Sequence, residues 1–319
     1  MPRMEKGERA FVRWIQRQFP VNPLRAPIPI GDDMAALRVD AGTIFVSSDM
    51  LLDGIHFRTS EHAPERIGRK ALGASLSDCA AMAVRPVAAL TSIALPRAWT
   101  LEQAEGLYLG MKPLADEFNV ALVGGDTTSW SGPLVVDVCV LAQRWAGVAP
   151  VTRGGARPGD LLFASGRLGG SLRGRHLDFT PRVALARRLA EQCGARLHAM
   201  MDVTDGLLID LHRLCEASGV GAELEAAALL AQSDPAAEAC AREDGRSVLD
   251  HVLTDGEDFE LLCAIGPGDE PAFTAAGEEW PGRPIGRVID SGLFVIHPGG
   301  RREAAAPRGW EHPIGGAPS

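Results

Sequence analysis

Two successive runs of alternating strand-like and helical segments, parted by one Gly-, Pro- and Arg-rich stretch, restrict the fold of this chain more than any other feature. In the first run, apolar stretches at 43–48, 87–95, 121–123 and 134–142 alternate with helical spacing at about 64–83 and 100–118. The junction APVTRGGARPGD follows near residue 150. Beyond it come strand candidates at 161–165, 200–203, 222–224, 259–264 and 284–288, with helices near 181–193, 206–218 and 268–279. With 319 residues the chain exceeds one ordinary core, so two domains are expected, 1–150 and 151–319. Each is predicted to be α/β (α+β), a mixed sheet with packed helices. Residues 5–19 space Phe11, Trp14, Ile15 and Phe19 as a short helix ahead of a proline-rich loop, and the tail from Arg301 reads as mostly irregular.

Five acidic segments share one local character: an aspartate beside Gly, Ser or Thr at the end of an apolar run or in a helix turn. They are Gly31-Asp32-Asp33, Ser47-Ser48-Asp49, Ser77-Asp78, Gly124-Gly125-Asp126-Thr127-Thr128 and Asp202-Val203-Thr204-Asp205-Gly206. Strand ends are where open α/β sheets place ligands. Carboxylates gathered there would repel one another unless a cation neutralised them, and hard magnesium ions take oxygen ligands of this kind. Each segment taken singly also reads as a turn or a helix cap. Gly166-Arg167-Leu168-Gly169-Gly170 follows a strand but lacks dinucleotide-loop spacing and reads as a turn.

Composition excludes several classes. A formal net charge of -9 argues against wide contact with nucleic acid or anionic membranes, which need clustered basic residues. Six scattered cysteines show no CxxC spacing, so neither a zinc site nor a disulfide framework is expected. The N-terminal segment is charged throughout, and no run approaches the roughly 20 apolar residues of a membrane span, so a cytoplasmic protein is expected. Phosphate-loop, HExxH and GxSxG motifs are absent.

In order along the chain, IGDDMAAL at 30, VSSDMLLDGIHF at 46, KALGASLSDCAAMAVRP at 70, LVGGDTT at 122, RGGARPGDLLFASGRLG at 153, MDVTDGLLIDLHRLCEASGVGAELE at 201, LTDGEDFELL at 253, PIGRV at 284 and GWEH at 309 resemble the thiamine-monophosphate kinase family. That family belongs to the ATP-binding superfamily of aminoimidazole ribonucleotide synthetase. The resemblance implies two PurM-like domains, a homodimer formed through the N-terminal halves, and transfer of the γ-phosphoryl group of ATP onto thiamine monophosphate. No catalytic acid or base is implied, since metal-assisted transfer relies on positioning and charge neutralisation.

By matching positions, the resemblance implies several magnesium ions held by Asp32, Ser47, Ser48, Asp49, Asp78, Asp126, Asp202 and Asp205. ATP would meet Tyr108, Gly125, Asp126, Arg153 and Thr204, and the acceptor His56, Glu257 and Trp310. Ser48 stands where Thr is usual, Thr204 where Ser is usual, Asp255 replaces a glycine, and Pro313 follows Trp-Glu-His where Phe commonly ends the motif. Competing readings are another phosphoryl-activating enzyme of the same superfamily and a non-catalytic nucleotide- or metal-binding regulator.

Overall fold

The computed structural model describes residues 13, 16, 17, 22–29, 31–40, 42–268 and 283–312. The helices expected at 5–19 and 268–279 lie mostly outside the described residues, Phe11, Trp14, Ile15 and Phe19 among them.

Residues 35–144 form a five-stranded sheet with two helices: β1 (Ala35–Val39), β2 (Gly42–Leu52), α1 (Pro64–Ala81), β3 (Val84–Pro96), α2 (Leu101–Phe118), β4 (Ala121–Trp130) and β5 (Val135–Arg144). Spatial order is β1-β2-β5-β3-β4, antiparallel except for the parallel β3–β4 pair. Strict alternation in β5 turns Val136, Val138, Val140 and Ala142 into the core. The opposite face is open, with Leu37, Met50 and Leu90 exposed.

The following residues give β6 (Leu161–Ala164), α3 (Arg175–Asp178), α4 (Val183–Cys193), β7 (Leu197–Val203), α5 (Leu207–Ser218) and β8 (Gly221–Glu225). Then come α6 (Ala226–Ala231), α7 (Pro235–Asp244), α8 (Val248–Thr254), β9 (Glu260–Ile265), β10 (Gly286–Ile289), β11 (Leu293–Ile296) and β12 (Arg302–Ala304). Their sheet runs β12-β11-β8-β10-β6-β9-β7, with only β8 and β11 parallel. The mixed sheets agree with the expected fold class. Helices α3 and α6 to α8 and strands β1, β11 and β12 are additions to the sequence reading. Each is short and lacks the sustained periodicity that identifies an element without its tertiary neighbours.

Helix α1 joins the two layers. Nearly every residue from Ile67 to Ala81 is buried, because α2, β2 and β5 cover one side and α3, α4 and β7 the other. One apolar cluster accordingly runs from Phe45 and Val138 through Leu72 and Leu76 to Phe163 and Cys263. The α1–α2 crossing depends on two glycines. A Cβ on Gly68 would stand 1.9 Å from the Leu107 carbonyl oxygen, and one on Gly110 1.8 Å from that of Glu65. Gly110→Ala is expected to push the helices apart and cost about 3 kcal/mol, measurable by urea unfolding; an unchanged midpoint would refute this close approach.

Candidate active site

A cavity of about 930 Å³ opens between the two sheets. Its base is set by the helical phase of α1. Ser75 donates to the Val138 carbonyl at 2.9 Å, facing the first sheet, while Ser77 donates to Asp202 on β7 at 2.5 Å, facing the second. Asp78 falls angularly between the two sides, so it points along the seam rather than into either layer. There its carboxylate meets those of Asp33 and Asp202, with oxygens of all three within 4.8 Å of one another.

Asp33 and Asp32 divide the work of the β1 entry loop. Asp32 accepts from the backbone N–H of Asp33 at 2.9 Å and from that of Arg153 at 3.4 Å. Asp33 turns inward, held by the Arg153 guanidinium at 2.8 Å. The sequence reading selected Asp32; Asp33 has the more central position, and its adjacency in the Asp-Asp pair was the available signal. Ser47 and Asp49 alternate onto the helix-facing side of β2, beside Asp78, whereas Ser48 faces the opposite side and donates to Asp137 at 2.9 Å.

Burial, then repulsion from neighbouring carboxylates, raises Asp32, Asp49, Asp78 and Asp202. Asp49 is pushed up to about 6, as is Asp32, and Asp78 and Asp202 stand well above the usual carboxylate range. Asp33 Oδ2, Ser47 Oγ and Asp49 Oδ2 are buried without a hydrogen-bond partner. Oxygen atoms orphaned beside crowded carboxylates fit a hard divalent cation. Cys240, His251 and Asp255 also converge, but Arg173 already donates to Cys240 and Arg246 pairs with Asp255, so positive charge is supplied there.

Asp205 reaches the same cavity in an ion pair with Arg213, at 2.5 Å. Arg213 also pairs with buried Asp210, which accepts from the backbone N–H groups of Thr204, Asp205 and Gly206 and is raised to about 7 by burial. Thr204 and Arg153 line the cavity, and Arg153 keeps its Nε buried without a hydrogen-bond partner.

At the far side, His56 meets Glu257 and Trp310, which lie more than 200 residues further along the chain. Asp53 holds the His56 turn by accepting from Thr59 N–H at 3.0 Å. His56 Nδ1 accepts from Leu52 N–H at 3.0 Å, so the neutral ring offers Nε2–H, and burial lowers its pKa to about 4. Trp310 is anchored by its backbone N–H, which donates to the Asp205 carbonyl at 2.8 Å, and its ring meets His312 edge-on, with ring centroids 5.8 Å apart. Lys70 is a site residue the sequence reading passed over: its ammonium binds both oxygens of Glu257 at 2.7 Å.

Tyr108, Gly125 and Asp126 do not reach this cavity in the single chain. Tyr108 lines a separate hollow of about 550 Å³ between α2 and the β4 edge. A bulge opposite Ala89 and Leu90 re-aims β4, and a Cβ on Gly125 would stand 1.8 Å from the Thr91 carbonyl oxygen. Asp126 follows, exposed on the edge strand and paired through Ser92 and Asp137 to Met50 of β2. The Gly169-Gly170 turn has its N–H groups taken by Asp258 and Asp255, the latter also paired with His251, which leaves them engaged within the protein.

Because Asp32, Asp49, Asp78 and Asp202 are raised on folding, the folded metal-free chain holds protons that the unfolded chain releases, and its stability falls as pH rises through about 6. Magnesium should therefore stabilise strongly at pH 8, by about 2.7 kcal/mol at a concentration about 100 times Kd. The gain should vanish below pH 5 and be largely lost in Asp33→Asn. Thermal melts over a pH series check this, and a pH-independent gain would contradict it.

Residues 31–143 match the AIR synthase related protein N-terminal domain and 144–298 the corresponding C-terminal domain. The thiamine-monophosphate kinase of Rhodopirellula baltica is 37% identical over 97% of both chains, and that of Bacillus subtilis 33% identical over 79% of both. AaThiL complexed with AMPPCP and TMP superposes with a TM-score of 0.80 at 26% identity, covering 96% of this chain and 97% of that one. Hydrogenase maturation protein HypE, at 20% identity and a TM-score of 0.70 over 92% of this chain and 95% of its own, shares the fold. With relatives matched from end to end and both domain families present in order, the chain belongs to the thiamine-monophosphate kinase family of AIR synthase related proteins.

Proposed function

We propose that this chain transfers the γ-phosphoryl group of ATP to the phosphate of thiamine monophosphate, producing thiamine diphosphate and ADP. The observation that carries the reading is the sorting of groups along one cavity: crowded carboxylates at its base, and His56, Glu257 and Trp310 at its far side. Similarity to named thiamine-monophosphate kinases selects the substrates. An oxygen of the acceptor phosphate bonds to the γ-phosphorus as the bond to the β–γ bridging oxygen breaks. The acceptor phosphate is ionised near neutral pH, so no side chain has to remove a proton.

Asp32, Asp33, Asp49, Asp126, Asp202, Asp205 and Asp78, with Ser47 and Ser48, are the residues that would hold magnesium. Bound there, magnesium neutralises phosphate charge and aligns the reacting oxygens. In this reading Arg153 and Thr204 bind the nucleotide phosphates, the Tyr108 hollow takes the adenine, and Gly125 lets the backbone approach them. Neutral His56 donates a hydrogen bond, Glu257 accepts one, and the Trp310 ring stacks on the cationic thiazolium. Domains 1–150 and 151–319 meet at the cavity, and the reaction is cytoplasmic.

The working form is a homodimer. Leu37, Met50 and Leu90 lie exposed on the open face of the first sheet, and all ten residues of β4 are exposed. Two copies closing on these surfaces would bury them and unite Asp126 and Tyr108 with an acidic cavity, since a two-fold interface uses each patch twice.

Purified protein given Mg-ATP and thiamine monophosphate should form ADP and thiamine diphosphate in equal amounts, and Asp126→Asn should lower kcat at least about a hundredfold. ADP formation only with another acceptor would overturn the substrate assignment. Leu90→Arg should yield monomers by sedimentation that melt near the parent temperature yet turn over poorly; a fully active monomer would remove the dimer from the mechanism.

A further inference from the structure

Lys70 is one of three lysines in the chain, and its side chain has no solvent exposure. A buried ammonium needs a partner for each donor. Two come from the carboxylate oxygens of Glu257, at 2.7 Å each, and one from the backbone carbonyl of His56. These partners belong to opposite halves of the molecule: His56 follows β2, Glu257 precedes β9, and Lys70 sits on α1 between them.

Glu257 needs such restraint. Its backbone lies in the left-handed region, at φ 60°, where a non-glycine residue persists only if its surroundings hold it. Its N–H is fixed by the Thr204 carbonyl at 2.6 Å, and Phe259, also left-handed at φ 52°, donates to the Val203 carbonyl at 2.9 Å. The side chain is fixed by Lys70 alone among the described hydrogen bonds.

We infer that Lys70 is a positioning residue for the acceptor, tying His56 and Glu257 together so that one donor and one acceptor face the cavity at a set separation. This rests on the assignment of those two residues to the acceptor side. With its charge matched by Lys70, Glu257 is an oriented hydrogen-bond acceptor rather than a free anion, and each oxygen keeps a lone pair for an amino N–H. Neutral His56 supplies Nε2–H. That pair is complementary to an aminopyrimidine, which presents an amino donor next to a ring-nitrogen acceptor. Because every Lys70 donor is occupied, its ammonium has none left for the transferred phosphate.

Steady-state kinetics of the full chain test this with Lys70→Met, Lys70→Arg, Glu257→Gln and the Lys70→Met/Glu257→Gln pair. Lys70→Met should raise the KM for thiamine monophosphate at least about tenfold, while kcat and the KM for ATP stay within about threefold. Lys70→Arg should recover part of the loss. The double variant should be no worse than either single, as expected for residues acting as a unit. Should Lys70→Met fail to fold because it strands the Glu257 carboxylate, the double variant removes both charges and must show the same selective rise. A fall in kcat with acceptor KM unchanged would overturn the inference in favour of phosphate contact, and equal rises in both KM values would reduce Lys70 to a structural role. Absence of thiamine diphosphate from wild-type reactions would sink the assigned reaction and this inference with it.

Discussion

Like charges crowded at the seam between two sheets are the constraint around which this molecule is organised. Asp33, Asp78 and Asp202 come from a loop, a helix and a strand, and nothing local favours bringing their carboxylates within 4.8 Å of one another. Packing provides the force: α1 is buried on both sides, so the sheets cannot separate to relieve the repulsion without exposing Leu72, Leu76 and their neighbours. The seam thereby stores electrostatic work that a cation and a polyphosphate together can recover. Arg153 and Arg213 offset part of it, each through paired carboxylates at the cavity edge.

The same helix governs both ends of the cavity. Lys70 and Asp78 are eight residues apart, about 12 Å along the axis. One rigid element therefore sets the distance between the acidic base of the cavity and the far side where His56 and Glu257 lie. Loops carry the remaining groups: the His56 carbonyl accepts from Lys70 on this helix, while the backbone N–H groups of Glu257 and Trp310 donate to the Thr204 and Asp205 carbonyls in the turn between β7 and α5.

Much of this was readable in the sequence, but by two different routes. Alternation in β5 and the helical period of α2, with its Thr100–Gln103 capping box, are local properties that declare themselves. The aspartates at strand ends signalled a cluster, and the ordered motifs gave it a family. The choice between Asp32 and Asp33 was not legible, because the inward turn of Asp33 is fixed by Arg153, 120 residues away. Lys70 was hidden for the same reason: a lysine is ordinarily solvated, and its burial depends on Glu257, 187 residues on. Tyr108 and Asp126 were named from the family resemblance alone; the structure places Tyr108 in a hollow between α2 and the β4 edge and Asp126 on the exposed edge strand, neither of which any periodicity reveals.

The apolar cluster that crosses α1 also bears on how the molecule comes apart. Although there are two sheets, Met200, Leu261 and Ile265 of the second share one core with Phe45 and Val138 of the first. An N-terminal half alone would leave the β7 side of α1 uncovered, whereas the C-terminal half keeps a second core of its own. The chain is built as two architectural layers joined through one shared core, with a second core confined to the C-terminal sheet.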